Sequence, residues 1–476
     1  MICDIIYRRF FYGVNDKLFA EGKVGKVLLK FSIPAIISLL VAELYNMVDT
    51  IFVGRVIGGN GIGALVVVFP IQRIVAAISM MLAIGSSTSV ARKNGEKNKK
   101  AIINVIKNGI TLAFVIIIPL MVFTYLFRDN ILTMLGASEN ILPYAHDYLS
   151  IIIFGSLFIC LTTVMNYIMM SLGNRKVTLI STTLGATLNI IIDYILVVGL
   201  SYGVKGAAIA TVVSQFIAFL YSACKFKKIK DTFNLSLGFQ LKKEIGLGII
   251  GVGFSAFIVE AEDGILLAIL NNLLLNHVGD TGVIILGVIS KVSMFMFITM
   301  LGISSAMQPI AAYNLGAKSY KRLKKVVKET MIFALITSTV LWLIAITFSK
   351  AIISLFVKEP YLVVESAKAF RVMVTVFPLL SIYYVTIYYY QSLGRAKTSF
   401  LVSIFRQIIV MLPVSLILVK ILDLGALGVW LSYPIADLIS SVSSIFLMKK
   451  AFGNLDVKVE ENKQKRLKKQ LHYETM

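Results

Sequence analysis

Seven carboxylates lie inside long apolar stretches of this sequence, where an ionised group is expensive unless it binds something. They are Glu43, Asp49, Asp193, Glu260, Glu262, Asp263 and Asp437. A charged side chain at the centre of a membrane helix costs at least about 2.5–3.5 kcal/mol, so each of them is a functional candidate. Because carboxylates bind cations and protons, the chemistry that they indicate is the binding of positive charge.

Asp49 and Asp193 form a first group with two uncharged, oxygen-bearing side chains. Asn189 lies four residues before Asp193, and therefore on the same helix face, and Thr211 lies in the next apolar stretch. Two carboxylates, an amide and a hydroxyl suit a hard cation such as Na⁺ or, with fewer ligands, a proton shared between the carboxylates. The alternative is that the two aspartates serve only as hydrogen-bond partners between packed helices.

Glu260, Glu262 and Asp263 form a second group, in which Glu260 and Asp263 share a helix face. Three acids so close together would repel one another, so we expect a nearby cation or a water-filled cavity. Lys291 is the obvious intramembrane cation and Arg406 a weaker one. The alternative is a purely structural pair between an acid and a lysine.

Soft and aromatic side chains accompany these charges in the second half of the chain. A cleft with such walls and with carboxylates would suit bulky lipophilic cations. Met and Tyr in membrane spans more often serve packing or the interfacial belt, so we expect only one or two of them to line a cavity. The predicted substrate cavity comprises Glu260, Asp263, Lys291, Met294 and Tyr388.

The chain that positions these residues is both apolar and basic. Its 476 residues are 58% hydrophobic and 15% charged, with a mean hydropathy of +0.85 and a net charge of +22. Soluble proteins average roughly 45–50% apolar and about 25% charged residues, so the composition excludes a cytosolic enzyme, a disordered chain and a nucleic-acid-binding domain. Three cysteines and three histidines are too scattered for a disulfide framework or a metal cluster. Cys160 and Cys224 lie in apolar runs, and we expect them to pack there.

Twelve apolar segments are each long enough for a transmembrane helix, which needs about 20 residues. We place them near 28–56, 62–91, 101–126, 141–172, 177–200, 206–224, 244–276, 282–312, 326–348, 360–392, 398–421 and 425–448. An even number of spans puts both termini on one side of the membrane. Of the 47 Lys and Arg residues, 34 lie on that side and six on the other. We therefore expect both termini in the cytoplasm.

Two similar loops indicate an internal repeat. Residues 171–176 read SLGNRK and residues 392–397 read SLGRAK, an offset of 221, and the same offset relates 95–97 to 316–318. Each half holds six spans, so the halves are predicted to be parallel repeats related by an axis along the membrane normal. This is the architecture of a secondary transporter, with the substrate path expected at the interface of the halves.

The predicted fold is therefore an all-α integral membrane protein with twelve transmembrane helices in two pseudo-symmetric six-helix bundles. The basic segment between the halves is predicted to be a cytoplasmic linker. The predicted division is a cytoplasmic N-terminal segment at 1–27, an N-lobe at 28–226, the linker at 227–243, a C-lobe at 244–449 and a basic cytoplasmic tail at 450–476.

Over about residues 28–449 the sequence resembles the multidrug and toxic compound extrusion (MATE) family of drug/cation antiporters, in particular its MepA-type and DinF-like bacterial exporters. The resemblance lies in FSIPAIISLL, LYNMVDTIFVGR, PIQRIVAAISMMLAIGSSTSVARKNGE and GISSAMQPIAAYNLGAKSYKR. In relatives, a cation site uses an Asp of span 1, an Asn and an Asp of span 5 and a Thr of span 6. These fall on Asp49, Asn189, Asp193 and Thr211, and Pro34 falls where span 1 is expected to bend.

The resemblance implies a secondary active antiporter, not an enzyme, in the cytoplasmic membrane of a bacterium. It would export cationic lipophilic compounds in exchange for Na⁺ or H⁺ by alternating access of two lobes. We expect no cofactor, no nucleic-acid partner, contact with membrane lipids and a monomeric state. The alternative is a lipid-linked glycan or lipid flippase of the same superfamily. The acidic intramembrane set argues against it, because an anionic headgroup calls for basic residues in the cavity.

Overall fold

The structure is a computed structural model that describes residues 18–235, 238–357 and 359–474. It describes the side chains in these ranges except those of residues 46, 262–265, 268, 276, 278, 280 and 465–474. Within the described residues the regular structure is entirely helical. The predicted all-α fold class is therefore confirmed.

The principal helices follow one another through short connections. In the first half they are α1 (Val24–Ile57), α2 (Gly59–Gly95), α3 (Lys99–Leu126), α4 (Arg128–Met134), α5 (Leu142–Ile152), α6 (Gly155–Ser171), α7 (Lys176–Asp193) and α8 (Gly203–Phe233). In the second half they are α9 (Lys243–Val278), α10 (Asp280–Gly316), α11 (Tyr320–Thr347), α12 (Ser349–Ile353), α13 (Pro360–Met373), α14 (Phe377–Ser392), α15 (Ala396–Ile404), α16 (Leu412–Leu416) and α17 (Gly425–Glu474). Wider π-helical turns occur at Tyr194–Gly199, Phe405–Met411 and Ile417–Ile421.

Membrane spans account for most of these helices. Ten helices of the described chain are long and apolar enough to cross a membrane. The pairs α5 with α6 and α13 with α14 reach that length together, with bends of 46° and 54°. Counting each pair as one span gives the twelve that the sequence predicts. Most predicted boundaries fall within a few residues of the helices, but α8 and α17 run on to Phe233 and Glu474, because the polar residues after each apolar stretch continue the helix.

The internal repeat is visible in the helix boundaries. Adding 221 to the bounds of α2 (Gly59–Gly95) gives 280–316, and α10 occupies Asp280–Gly316. Adding it to α3 (Lys99–Leu126) gives 320–347, and α11 occupies Tyr320–Thr347. Both pairs agree at each end, so the offset that two loop motifs indicate extends to whole helices.

Left-handed backbone positions between the helices repeat with the same offset. Such positions favour glycine, because a Cβ atom is strained there. The matched pairs are Gly58 with Gly279, Lys97 with Lys318 and Gly173 with Gly394, whose φ angles are 82° and 74°, 59° and 54°, and 93° and 70°. The two halves therefore turn the chain in the same way at corresponding helix ends.

Towards the C-terminus the offset grows to 222. Ser201 and Asp423 both have positive φ angles, of 56° and 53°, and Gly203 and Gly425 form the next such pair, at 60° and 52°. One residue has therefore been inserted between 394 and 423 in the second half. The extra π-helical turn at Phe405–Met411 accommodates it, since such a turn holds one more residue than an α-helical turn.

Packing divides the described chain into two compact units. The first unit comprises residues 33–93 and 98–264, and the second comprises the residues up to Ser32, 94–97 and those from Ile265 onward. The boundaries fall inside α1 and α9, so each of these helices contributes to both units. The predicted lobes follow the repeat instead of these units, and the division into six and six spans stays a prediction.

In the first unit, α2 and the beginning of α9 approach each other closely at two glycines. A Cβ atom at Gly85 would overlap the carbonyl oxygen of Ile249, and one at Gly253 would overlap that of Met81. Small residues allow membrane helices to pack backbone against backbone. This contact explains why residues 243–264 belong to the first unit.

In the second unit, the end of α10 and the beginning of α11 hold the segment that precedes α1. Arg322 donates from Nε to the carbonyl oxygen of Phe19 at 2.6 Å and from Nη2 to that of Gly22 at 2.5 Å. Asn314 also donates to Phe19, at 3.3 Å. Asn314 and Arg322 belong to the NLGAKSYKR sequence on which the family resemblance partly rests, and this anchoring is its structural role.

The two described cysteines have different surroundings. Cys160 is buried, as expected, whereas Cys224 is exposed. The expectation that Cys224 packs in an apolar core was wrong. The buried positions of this part of α8 include Ser222 and Phe226, and Cys224 lies on the opposite face because two residues advance a helix by about 200°.

Candidate functional site

Asp49 and Asp193 come together in the first unit. Asp49 lies in the second half of α1, and Asp193 is the last residue of α7, where the π-helical turn Tyr194–Gly199 begins. Both side chains are buried, and the two carboxyl groups are close enough to interact with each other. The structure thus brings these two predicted site residues together, and their role in a cation site stays a prediction.

Asn189 and Thr211 complete the predicted set. The Asn189 Nδ2 atom donates to Thr211 Oγ1 at 3.2 Å, and both side chains are buried. This hydrogen bond joins α7 to α8 and turns the amide so that its Oδ1 atom is left for another partner. Asn189 lies one helical turn before Asp193, as the spacing of four residues predicts.

Two further polar residues surround Asp49 that the sequence does not single out. Tyr148 of α5 is buried and lies within hydrogen-bonding reach of Asp49, and Gln72 of α2 is a hydrogen-bonding neighbour of Tyr148. Tyr148 also belongs to an apolar cluster with Val53 and Val204. A tyrosine in an apolar run resembles ordinary packing, so no sequence signal distinguishes this one.

Four buried oxygen atoms of this site lack a hydrogen-bond partner. They are Oδ1 of Asp49, Oδ1 of Asn189 and both carboxyl oxygens of Asp193. A buried polar atom without a partner costs roughly 1–3 kcal/mol, and four in one place point to a ligand that such oxygens accept. A hard cation with oxygen ligands, or a proton held between the two carboxyl groups, meets that requirement. The residues present therefore fit Na⁺ or H⁺ as a transported co-substrate.

Glu260 has a basic neighbour that sequence analysis missed. Arg73 of α2 approaches Glu260 of α9 at 3.5 Å and Glu43 of α1 at 4.0 Å. Arg73 follows Gln72 in an otherwise apolar run, and its partners lie on other spans, so spacing gives no signal for it. The expected nearby cation is thus present, in the form of Arg73.

The other described residues of the predicted substrate cavity lie on α10 and α14, and their role in a cavity stays a prediction. Lys291 is exposed on α10 and Met294 is half-buried on the same helix, whereas Tyr388 is buried on α14. All three belong to the second unit. The side chain of Asp263 lies outside the described part of the structure.

The second unit contains a buried ion pair of its own. Arg406 Nε donates to Asp437 Oδ1 at 2.7 Å, and both side chains are almost fully buried. The guanidinium group also lies over the ring of Phe297, 5.6 Å from its centroid. Arg406 lies in the π-helical turn that contains the inserted residue. The first half has no such turn at the corresponding place and no basic residue there.

Pro34, the expected hinge, lies inside α1. Proline cannot donate a backbone hydrogen bond to the preceding turn. On the following turn, the Ser38 hydroxyl donates to the Pro34 carbonyl oxygen at 2.7 Å. The boundary between the two compact units falls between Ser32 and Ile33, one residue before this proline. The position suits a bend, and the role of a hinge stays a prediction.

Twelve spans in two repeats, with buried carboxylates inside the membrane, define a multi-pass membrane transporter. The MatE family model matches residues 34–195 and 265–417, and the chain belongs to this family.

Comparisons with individual proteins agree with that assignment. The chain is 26% identical over 435 residues to the multidrug export protein MepA of Staphylococcus haemolyticus, covering 90% of this chain and 94% of that protein. It is 25% identical over 438 residues to the FAD transporter of Shewanella oneidensis, with coverages of 90% and 95%. The fold matches that of a MOP superfamily transporter from Pyrococcus furiosus with a TM-score of 0.87 and 23% identity, covering 92% of this chain and 98% of that structure.

Proposed function

We propose that the protein is a secondary active antiporter that exports cationic lipophilic compounds in exchange for Na⁺ or H⁺. The observation that carries the proposal is the group of four unpartnered buried oxygens on Asp49, Asn189 and Asp193. The similarity to MepA supports export as the direction of transport. The intramembrane carboxylates support a cationic cargo, because like charges would repel an anion.

The coupling follows from reciprocal binding. In one conformation the coupling ion neutralises Asp49 and Asp193, and in the other the exported cation is bound. If each ligand stabilises a different conformation, the binding of one weakens the binding of the other by the same factor. The driving ion then moves inward along its gradient as the exported compound moves outward.

Dye efflux tests this function. Ethidium accumulation is measured in inverted vesicles containing the protein, with a Na⁺ gradient and a pH gradient imposed in separate experiments. The gradient that drives accumulation identifies the coupling ion. Asp193→Asn is expected to abolish accumulation while the protein remains folded in the membrane. Asp231→Asn is the matched control, because it removes an exposed carboxylate of the same half. Normal accumulation by Asp193→Asn would contradict the site.

Both termini and the basic linker are proposed to lie in the cytoplasm, on the strength of the charge bias. The export direction then corresponds to movement from the side of the termini to the opposite side. Labelling of Cys224 with a membrane-impermeant maleimide tests this orientation.

A second candidate is the export of FAD, which the similarity to the Shewanella transporter favours. Such a cargo is anionic and would need basic side chains in its path, of which Arg73 is one. The same vesicles separate the candidates, because FAD uptake without ethidium uptake would support the second. Uptake of a pyrophosphate-linked lipid in place of both would instead support the flippase alternative.

A further inference from the structure

Three charged side chains meet in the first unit, well away from the ends of their helices. Glu43 is on α1, Arg73 on α2 and Glu260 on α9, and each lies near the middle of its helix or one to two turns from it. The Arg73 Nη1 atom is 3.5 Å from Glu260 Oε2, and its Nη2 atom is 4.0 Å from Glu43 Oε1. The helices thus bring one guanidinium group between two carboxylates at membrane depth.

This cluster is neither buried nor at a helix end. The side chains of Arg73, Glu43 and Glu260 are 42%, 25% and 28% exposed. Ionised groups at this depth are tolerated only where water or protein replaces lipid. Their partial exposure therefore places the cluster on the wall of a water-filled cavity.

An aromatic ring completes the environment of the arginine. The Arg73 guanidinium carbon lies 5.1 Å from the centroid of the Phe69 ring. A ring face and two carboxylates are the groups that bind a lipophilic organic cation. Arg73 thus occupies the position that such a cation would take.

The cluster is held loosely. The distances of 3.5 and 4.0 Å contrast with the 2.7 Å of the buried pair between Arg406 and Asp437. A half-exposed ion pair contributes at most about 1 kcal/mol to stability, so Arg73 can be displaced at small cost. When it leaves, two carboxylates face the cavity without their shared cation.

We propose that Arg73 is a tethered cation that occupies the Glu43–Glu260–Phe69 site until an exported organic cation displaces it. The inference rests on the proposed function, since it takes lipophilic cations as the cargo. Arg73 then sets specificity. A compound must compete with a guanidinium group, so neutral and anionic compounds are rejected and weakly binding cations are released.

Equilibrium binding of tetraphenylphosphonium to the purified protein in lipid nanodiscs tests this without any ion gradient. Arg73→Met removes the competing charge and is expected to lower the Kd by about fivefold, equivalent to about 1 kcal/mol. Arg73→Lys keeps the charge and should bind within about threefold of the wild type, since a threefold change is under 1 kcal/mol.

Two further variants make the result specific. Glu260→Gln is expected to raise the Kd, and in that background Arg73→Met should lose most of its effect. Arg128→Met is the matched control. Like Arg73, Arg128 lies over an aromatic ring, 4.6 Å from the centroid of Tyr125, and contacts a side chain of the same unit, His146. Arg128 lies outside the cluster. The variant should leave the Kd unchanged.

The outcomes separate this inference from the proposed function. If the wild type binds tetraphenylphosphonium and Arg73→Met binds it no more tightly, the tethered cation is wrong and the proposed function stands. An equal gain in Arg128→Met would also overturn the inference, because it would show a general effect of net charge. If no variant binds the probe, the cationic cargo itself is wrong and both proposals fall.

Discussion

Arg406 and Asp437 form a buried ion pair at 2.7 Å in the second half, whereas Asp49 and Asp193 in the first half face each other as two acids. An aspartate with a fixed guanidinium partner has its counter-ion built into the fold. Two neighbouring aspartates without such a partner need a counter-ion that can come and go. This difference between the halves is the reason for assigning ion coupling to the first half.

The buried pair should matter for stability. Asp437→Asn is expected to destabilise the protein by about 3–5 kcal/mol, because it leaves the Arg406 charge buried without its partner. Reversible unfolding in mixed detergent micelles measures the change. The double variant Arg406→Met with Asp437→Leu should recover most of the loss, since it removes both charges together.

An exposed pair in the same half provides the control for that measurement. Lys368 Nζ and Glu365 Oε1 lie 2.8 Å apart on the surface of α13, and Glu365→Gln is expected to leave the stability nearly unchanged, because solvent screens an exposed ion pair. Equal losses for Glu365→Gln and Asp437→Asn would contradict the account of the buried pair.

Thr211 should tune the affinity for the coupling ion. Thr211→Val removes the acceptor for the Asn189 amide, so Asn189 no longer holds its oxygen towards the site. The ion concentration for half-maximal dye efflux is expected to rise about tenfold, in line with about 1.4 kcal/mol for a buried hydrogen bond. Thr211→Ser keeps the hydroxyl and should behave like the wild type. An unchanged ion dependence in Thr211→Val would remove Thr211 from the site.

The anchoring of the N-terminal segment can be tested by proteolysis. Arg322→Ala removes two hydrogen bonds to Phe19 and Gly22, each worth roughly 1.5–3 kcal/mol with a charged donor. Trypsin is therefore expected to cut after Lys23, which precedes α1, at least about tenfold faster, because local opening becomes easier. Lys321→Ala, next to it and exposed, should leave the rate unchanged. Equal cleavage rates in the two variants would show that Arg322 does not anchor the segment.

The orientation in the membrane makes Cys224 a natural reporter. Cys224 is exposed near the basic end of α8, whereas Cys160 is buried. With Cys3 replaced by Ser, a membrane-impermeant maleimide should label inverted vesicles and leave intact cells unlabelled. Labelling of intact cells alone would reverse the proposed topology.

Hydropathy and charge were sufficient to predict the fold. The twelve spans follow from the length of apolar runs, and the repeat follows from short loop motifs whose offset reappears in whole helices such as α2 and α10. The two bends inside spans were not foreseen, although Gly155 directly follows the first break and Pro378 lies at the start of α14, after the second. The inserted residue near Phe405–Met411 also escaped notice, since the landmarks that define the offset end at 397.

Contacts of the candidate site could be predicted where both residues lie on one helix or where both are intramembrane acids. Contacts between other residues of different helices could not be predicted. Asn189 and Asp193 lie four residues apart, so their common face could be derived. Arg73 lies on a different span from Glu43 and Glu260, and only the packing of three helices brings them together. Single-sequence reasoning has no access to such contacts between distant segments, which is why Lys291 appeared to be the obvious cation.

The central claim is obligatory exchange through Asp193, and counter-movement of the two ions tests it most directly. Liposomes containing the purified protein are given a gradient of tetraphenylphosphonium, with no membrane potential and no gradient of Na⁺ or H⁺. The account predicts that movement of the organic cation drives Na⁺ or H⁺ in the opposite direction, that this flux saturates, and that Asp193→Asn abolishes it. Movement of the organic cation that exceeds its leak into protein-free liposomes without opposite movement of either ion, or a wild-type flux in Asp193→Asn, would contradict the account.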